Sequence, residues 1–250
     1  MFMHSTVHLS STVSTNEDAY ALALKGAKHG FSVLADTQTG GKGRLGREWV
    51  SPAGSGLYCS IVLRPKLPFH EFPRLTLTAG LALCLSIEKL TANKDFGLKW
   101  PNDLYCEGRK CGGILVESSS PSGNTQESFV VVGIGVNVNT GLGDFPSGLR
   151  NIVSSLCIEN KTTYNIPELF SLIHLSLLEN VRIHEKLGFS AILNEWRKRD
   201  LLYGKEMQWL TKDRQIITGV GLGPDDTGQL LAKDKEGRLH EILSGDVTLR

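Results

Sequence analysis

The sequence predicts an α+β fold, in which a mixed β-sheet with helices packed on one side is followed by a small all-β unit. Three observations support this. Before Leu202, apolar strand-like runs and helix-like segments are interleaved in the order strand, strand, helix, strand, strand, strand. After Leu202, short strands are separated by turn sequences. Hydrophobic residues make up 40% of the 250 residues, which is typical of a packed core.

The elements of the first part follow from periodicity and from flanking residues. Ala, Leu and Tyr recur at helical spacing after Ser14 and Thr15, either of which can cap a helix. A strand that starts at Leu57 is closed by Arg64-Pro65. The predicted elements are helix 16–29, strand 31–35, strand 57–63, helix 73–90 and a strand entered at 97–100.

Two β-rich runs then flank a loop of small polar residues, which predicts a hairpin. Two helices follow, and the turn sequences Gly-Pro-Asp-Asp-Thr-Gly and Asp-Lys-Glu-Gly separate the last strands. We therefore predict one unit of mixed sheet and helices over residues 1–202 and a small β-barrel over 203–250. The predicted elements are strands 113–117 and 128–137 around loop 118–124, helices 167–185 and 190–199, and strands 207–210, 216–221, 229–233 and 239–243.

Composition argues against several classes of protein. A formal net charge of +1 gives no global electrostatic reason to bind nucleic acid or an anionic membrane. We find no signal peptide at the start of the sequence and no apolar run long enough to cross a bilayer. The five cysteines form no CxxC pair, and no histidine lies near Cys106 and Cys111 to complete a metal site. These features indicate reduced thiols and a cytoplasmic protein.

The most informative segment is the glycine-rich stretch from Gln38 to Trp49. Its glycines match G-x-G-x-x-G, but no helix follows and no acidic residue stands at a plausible ribose position, so a dinucleotide fold is disfavoured. Lys42, Arg44 and Arg47 alternate with the glycines, a composition that suits a flexible clamp for phosphates or an acyl phosphate. On charge alone, a solvated basic loop remains an equal alternative.

Residues 41–49, Gly-Lys-Gly-Arg-Leu-Gly-Arg-Glu-Trp, resemble the GRGRxGRxW loop of biotin–protein ligases, with Lys42 where arginine is usual. Four further segments resemble that family in the same order along the chain. They are Ser14-Thr15-Asn16, Lys99-Trp-Pro-Asn-Asp103, Arg109-Lys-Cys-Gly-Gly-Ile-Leu115 and Gly133-Ile-Gly-Val-Asn-Val-Asn139.

The resemblance implies a class II synthetase-like biotin–lipoate ligase fold with a C-terminal SH3-like barrel. It also implies ATP-dependent biotinylation of a lysine on a biotin carboxyl carrier domain through biotinyl-5′-AMP, with Mg²⁺ as a cofactor. It assigns catalysis to Arg44, Lys110 and Asp103, with Asp103 also the expected magnesium ligand. The residues expected to bind biotin are Ser14, Thr15, Asn16, Gln38, Gly41, Lys42, Gly43, Arg44, Lys110, Gly112 and Gly113. The residues expected to bind ATP are Lys42, Arg44, Arg47, Trp49, Lys99, Asn102, Ile114 and Asn137.

Two alternatives are weighed against this function. A lipoate–protein ligase shares the fold and the adenylate chemistry, but lacks the tryptophan-ended loop. A biotin-responsive binding module without catalysis would be expected to have lost some of Arg44, Lys99, Asn102, Asp103 or Lys110. Because Ser14 lies so near the start, we expect a monofunctional enzyme without a helix-turn-helix domain and without nucleic-acid or membrane partners. The sequence leaves open whether the protein forms a homodimer.

Overall fold

The computed structural model describes residues 5–93, 95–119, 128–210, 216–242 and 247–249. Its strands before residue 140 are β1 (Thr6–Leu9), β2 (Ser32–Ala35), β3 (Gly56–Leu63), β4 (Phe96–Lys99), β5 (Asp103–Cys106), β6 (Arg109–Ser119) and β7 (Phe129–Asn137). The helices are α1 (Thr15–Leu24), α2 (Leu75–Thr91), α3 (Leu156–Asn160), α4 (Ile166–Leu187) and α5 (Phe189–Arg197). The later strands are β8 (Glu206–Leu210), β9 (Ile216–Pro224), β10 (Leu230–Asp234), β11 (Leu239–Ile242) and β12 (Val247–Leu249).

The strands form two sheets. The first has the order β1-β2-β3-β7-β6-β5-β4, and the second has the order β11-β10-β9-β8-β12. In the first sheet β1 runs parallel to β2, whereas the other neighbours are antiparallel. The second sheet is antiparallel throughout. The predicted α+β class, a mixed sheet followed by a small β unit, is confirmed.

Helices cover both faces of the seven-stranded sheet. Alternate residues of β3 point to opposite sides, so Ile61 joins the core beneath α2, α4 and α5 while Val62 packs with α1. The small side chains of Ala19 and Ala23 are buried on this second side. The predicted one-sided packing therefore describes α2, α4 and α5, whereas the short helix α1 lies on the opposite face.

The two sheets share one hydrophobic core. Met207, Trp209 and Leu230 of the second sheet belong to the same buried cluster as the residues of α2. The indole Nε1 of Trp100 donates to the carbonyl oxygen of Gly228 at 3.0 Å, which ties the end of β4 to the turn before β10. The division into units 1–202 and 203–250 stays a prediction, because packing is continuous across it.

Several elements differ from the predictions. The first helix ends at Leu24 rather than near residue 29, since Gly26 adopts a φ of +91°. Strands β1, β5 and β12 and the short helix α3 were not predicted. β6 and β7 pair antiparallel as the predicted hairpin requires. Residues 120–127, which hold most of the predicted loop 118–124, lie outside the described residues, as does Leu243 at the end of the last predicted strand.

The described helices include none that is long and apolar enough to span a membrane. All five cysteines are free thiols, and Cys59, Cys84, Cys106 and Cys111 are buried. Burial raises the pKa of the Cys59 thiol to about 12, so this group stays protonated at neutral pH.

Asp200 lies where α5 leads into the second sheet, and its burial makes stability depend on pH. One carboxylate oxygen accepts from the Leu202 amide at 2.8 Å, while Oδ2 is buried without a hydrogen-bond partner among the described residues. Burial raises the pKa of Asp200 to about 6. The folded state thus binds this proton more tightly than the unfolded chain does. Its contribution to stability is complete below about pH 4 and is lost as pH rises through about 6.

We therefore expect Asp200→Asn to raise the free energy of unfolding by up to about 3 kcal/mol near pH 7.5 and by little near pH 4. Asparagine keeps the acceptor for Leu202 and removes the buried charge. Urea unfolding at both pH values measures the difference. An equal effect at the two pH values would contradict the assignment to the Asp200 carboxylate.

Candidate active site

A cleft of about 320 Å³ opens on the face of the seven-stranded sheet that α1 covers. It is lined by segments from both ends of the described chain, from Ser14 to Val247. The residues predicted from the sequence that line it are Ser14, Thr15, Asn16, Gln38, Lys42, Gly43, Arg44, Arg47, Trp49, Lys99, Asn102, Asp103, Lys110, Gly113, Ile114 and Asn137.

Glycines on two adjacent strands form the floor of the cleft. Gly135 of β7 pairs in register with Gly113 of β6, and Gly113 pairs with Asp103 of β5. Two residues before Gly135 in β7, Gly133 lies between Ser60 of β3 and Leu115 of β6. These glycines leave the backbone bare, so that other side chains can lie directly on it.

The indole of Trp49 lies on the floor at Gly113 and Gly135. A Cβ atom at Gly135 would be 2.5 Å from Trp49 Cε2, and one at Gly113 would be 3.2 Å from Trp49 Cζ3. The ammonium of Lys110 lies 5.5 Å from the ring centroid, within cation–π range. The ring therefore holds Lys110 over the middle of the sheet.

Trp49 is presented by a small hairpin formed by the glycine-rich loop. The Trp49 amide donates to the Gly41 carbonyl at 2.9 Å, and the Gly43 amide donates to the Arg47 carbonyl at 2.7 Å. A 3-10 turn at Arg44–Gly46 makes the tip, where Leu45 takes a φ of 57°. This folding places the glycine-spaced cations at the mouth of the cleft.

Two cations meet at the consecutive residues Asn102 and Asp103. The Arg44 guanidinium donates to Asn102 Oδ1 at 3.0 Å. The Lys110 ammonium lies 2.6 Å from Asp103 Oδ1, and both side chains are about a quarter exposed, 27% and 20%. Asn102 is itself fixed, because its Nδ2 donates to the Ile114 carbonyl at 2.9 Å. The hairpin loop and strand β6 thus converge on one positively charged position.

At the other end of the floor, the triplet at the start of α1 joins a polar network. The backbone N–H of Thr15 donates to Gln38 Oε1 at 2.9 Å, and Gln38 Nε2 donates to Ser51 Oγ at 3.1 Å. Asn16 lies over Gly133, where any Cβ would overlap Asn16 Oδ1. Ser14 occupies the N-cap position and is buried, but its hydroxyl makes no capping hydrogen bond. Capping alone therefore does not account for the Ser14 hydroxyl.

The remaining predicted side chains surround this arrangement. Lys42 pairs with Glu17 of α1 at 2.5 Å, and the hydrogen bond and charge of Glu17 raise the pKa of Lys42. Lys99 Nζ lies 5.2 Å from the Tyr105 ring centroid. Asn137 is buried and donates to the Ser154 carbonyl at 2.8 Å.

The structure places Gly41 and Gly112 outside the lining of the cleft. Gly41 supports the base of the hairpin, where a Cβ would be 2.6 Å from the Trp49 carbonyl oxygen. Gly112 faces Leu83 and Leu104 in the core on the opposite side of the sheet. Adjacent strand residues point to opposite faces, so Gly112 and Gly113 cannot both face a ligand.

The sequence reasoning missed one wall of the cleft. Phe145, Leu149, Ile152 and Val153 line it from the irregular segment after β7, and Val247 lines it from the second sheet. This segment contains two 3-10 turns and matches no motif. The available signal was an unexplained set of apolar residues in a stretch rich in Gly, Pro and Asp.

The chemistry of the cleft is that of a site for anions. Its lining includes the cations Lys42, Arg44, Arg47, Lys99 and Lys110, against the carboxylates Glu48 and Asp103. Within the described residues, no group of three or more His, Cys, Asp and Glu side chains is placed to hold a metal. A metal here would therefore need ligands from a bound substrate, such as phosphate oxygens.

Comparisons with known proteins place the chain among relatives of one family. Residues 9–137 match the model of the biotin/lipoate A/B protein ligase family. The chain is 32% identical over 243 residues to the biotin–[acetyl-CoA-carboxylase] ligase of Mycobacterium tuberculosis, covering 96% of this chain and 86% of that protein. It is 36% identical over 236 residues to the bifunctional ligase/repressor BirA of Bacillus subtilis, covering 94% and 71%. The Aquifex aeolicus biotin protein ligase in complex with biotin and ATP superposes with a TM-score of 0.82, at 31% identity and 98% coverage of both chains.

Proposed function

The chain belongs to the biotin/lipoate A/B protein ligase family, as one of its biotin–protein ligases, and from this premise we propose the reaction in detail. It activates biotin with ATP to biotinyl-5′-AMP and transfers the biotinyl group to one lysine of a biotin carboxyl carrier domain. A biotin-dependent carboxylase carries that domain. The carrier follows from the relatives named as acetyl-CoA-carboxylase ligases.

The observation that carries the proposal is the meeting of Arg44 and Lys110 at Asn102 and Asp103. In the first step, a biotin carboxylate oxygen bonds to the α-phosphorus of ATP, and the bond from that phosphorus to the pyrophosphate oxygen breaks. Both reacting groups are anions, so they repel unless cations lie between them. Preorganised cations stabilise the charge that builds up on the phosphoryl oxygens.

We assign roles by position along the cleft. The network of Ser14, Thr15, Asn16 and Gln38 takes the ureido end of biotin, and Arg44 and Lys110 take its carboxylate and the α-phosphate. Lys42 and Arg47 on the hairpin neutralise phosphates. The nucleotide end belongs to Trp49, Lys99, Asn102, Ile114 and Asn137.

In the second step, the ε-amine of the acceptor lysine bonds to the acyl carbon, and the acyl–oxygen bond breaks to release AMP. The amine must lose a proton, because its usual pKa is about 10.4. Asp103 anchors Lys110 in the structure. Asp103 lies beside the reacting position, and we assign to its carboxylate the acceptance of that proton.

Magnesium fits the site only if substrate phosphates supply some of its ligands. Mg²⁺ commonly binds one or two carboxylates together with substrate phosphates, and Asp103 is the carboxylate next to both proposed catalytic cations. When bound, the ion supplies charge neutralisation for the leaving pyrophosphate.

The test is the intact mass of a biotin carboxyl carrier domain after incubation with the protein, MgATP and biotin. We expect one biotinyl increment that depends on ATP and is lost in Arg44→Ala. Arg182→Ala is the matched control, because Arg182 is a surface arginine paired with Glu179 on α4. With biotin labelled by ¹⁸O in its carboxylate, one ¹⁸O should appear in AMP if the adenylate forms.

The outcomes separate the alternatives. Lipoate transfer to a lipoyl domain without biotin transfer would overturn the substrate while keeping the adenylate chemistry. Tight biotin binding without either product would point to a non-catalytic binding module. Biotin transfer with unlabelled AMP would contradict the proposed intermediate.

A further inference from the structure

Lys42 is the residue of the glycine-rich loop that departs from the family pattern, and in the structure it contacts a residue outside every predicted motif. Its ammonium lies 2.5 Å from Oε1 of Glu17, in the first turn of α1. Each of the two side chains is about half exposed, and Glu17 is not among the residues that line the cleft. A single carboxylate oxygen needs only a point charge, so the planar fork of an arginine is not required at this position.

The contact with Glu17 gives the hairpin of residues 41–49 an attachment on each side of the cleft. On the side of β4 and β5, the Arg44 guanidinium donates to Asn102 Oδ1 at 3.0 Å. On the side of α1, the attachment is the ion pair of Lys42 with Glu17. The hairpin therefore bridges the cleft from the start of α1 to the turn between β4 and β5.

The base of the hairpin is already fixed, which favours this ion pair over an ordinary exposed one. The Gly40 amide donates to the Val13 carbonyl at 2.9 Å, and Val13 leads directly into α1. The chain segments that carry Lys42 and Glu17 are thus held side by side by the backbone. The pair therefore forms without the entropy loss of bringing two separate segments together.

A second carboxylate near Lys42 has a weaker effect than Glu17. The hydrogen bond and the charge of Glu17 are the largest causes that raise the Lys42 pKa, and the charge of Glu117 adds a smaller attraction. Glu117 itself accepts from Asn16 Nδ2 at 2.7 Å. Glu17 is therefore the carboxylate that determines where the Lys42 ammonium lies.

We propose that Glu17 is a positioning residue, which holds the hairpin to α1 through Lys42 and so keeps the biotin end of the cleft closed over its ligand. The inference rests on the proposed function, in which Ser14, Thr15 and Asn16 take the ureido ring. Lys42 lines the same cleft as these three residues. A hairpin released from Glu17 would open the cleft beside them and let biotin leave sooner.

The test is Glu17→Gln, which keeps the size of the side chain and removes its charge. Without ATP, labelled biotin chased by unlabelled biotin should dissociate about three- to fivefold faster than from the unaltered protein. Trypsin cleavage after Arg47 in the protein without ligand, followed by intact mass, should be faster by about the same factor, because cleavage requires the hairpin to open. The omission of ATP keeps the phosphate role proposed for Lys42 out of both measurements.

Three comparisons separate this role from others. Glu168→Gln removes an exposed glutamate from the first turn of α4 and should leave both rates unchanged. In a Lys42→Met background, Glu17→Gln should have no further effect on either rate. In about 1 M salt the effect of Glu17→Gln should disappear, since an exposed ion pair is then screened.

Unchanged cleavage and biotin dissociation in Glu17→Gln, or a full effect in the Lys42→Met background, would overturn the inference. An effect that persisted at high salt would also contradict an ion pair. If the unaltered protein bound no biotin, the proposed function would be rejected, and the cleavage rates would still decide whether Glu17 holds the hairpin.

Discussion

Replacing Lys110 by glutamine is expected to lower kcat/KM for biotin activation by about a thousandfold. The ammonium is fixed from two directions, by Asp103 at 2.6 Å and by the Trp49 ring. A cation held in this way needs little reorganisation when charge develops on the phosphoryl oxygens. Glutamine keeps length and polarity but supplies no charge, so the loss should fall on the chemical step. Biotin-dependent exchange of pyrophosphate into ATP measures it.

The Lys110 prediction has one control outside the site and one in the ion pair. Lys25→Gln removes a lysine from the exposed end of α1 and should leave the exchange rate unchanged. Asp103→Asn should cost less than Lys110→Gln, and the double variant should be close to Lys110→Gln alone if Asp103 acts in this step by anchoring the ammonium. A loss of less than threefold in Lys110→Gln would place the main cation elsewhere in the cleft.

Replacing Gly133 by alanine is expected to weaken biotin binding by about a hundredfold while the protein remains folded. The added methyl group would overlap Asn16 Oδ1, and Asn16 is enclosed by Ser60 and Glu117. Overpacking of this kind costs about 1–3 kcal/mol, and here it displaces a side chain at the ligand site. Titration calorimetry with biotin measures the affinity, and thermal unfolding checks the fold.

The matched control is Gly143→Ala. Gly143 has a negative φ and open space where its Cβ would be, so alanine should be accommodated there. If Gly133→Ala bound biotin as the unaltered protein does, Asn16 would not be part of the biotin site.

The sequence allowed much of this site to be predicted because its polar residues occur in short contiguous segments. The glycine-spaced cations of residues 41–49 and the sequence Lys99–Asp103 are such local patterns. Of the 18 residues that the resemblance assigned to catalysis, biotin binding or ATP binding, 16 line the cleft. Gly112 was expected to bind biotin together with Gly113, but adjacent residues of a strand point to opposite faces of the sheet, and Gly112 faces the core. Whether each lining residue has its predicted role stays a prediction.

Contacts between residues distant in the sequence could not be predicted. Glu117 meets Asn16 across 101 positions, and the sheet register that brings Ser60, Gly133 and Leu115 side by side is set by tertiary pairing. β1 has only four residues, three of them exposed, so it lacks the apolar run that marks a strand. The apolar wall from Phe145 to Val153 is irregular in backbone and has no period to detect.

The cleft takes its lining from Ser14 at one end of the described chain and Val247 at the other, and this span has a consequence for biosynthesis. Synthesis from the N-terminus delivers the triplet and the glycine loop early, whereas β12 can pair with β8 only after residue 249 has been made. A nascent chain that has already formed the seven-stranded sheet would still lack the part of the apolar wall that Val247 lines. The ligase should therefore gain full affinity for its substrates only at a late stage of translation.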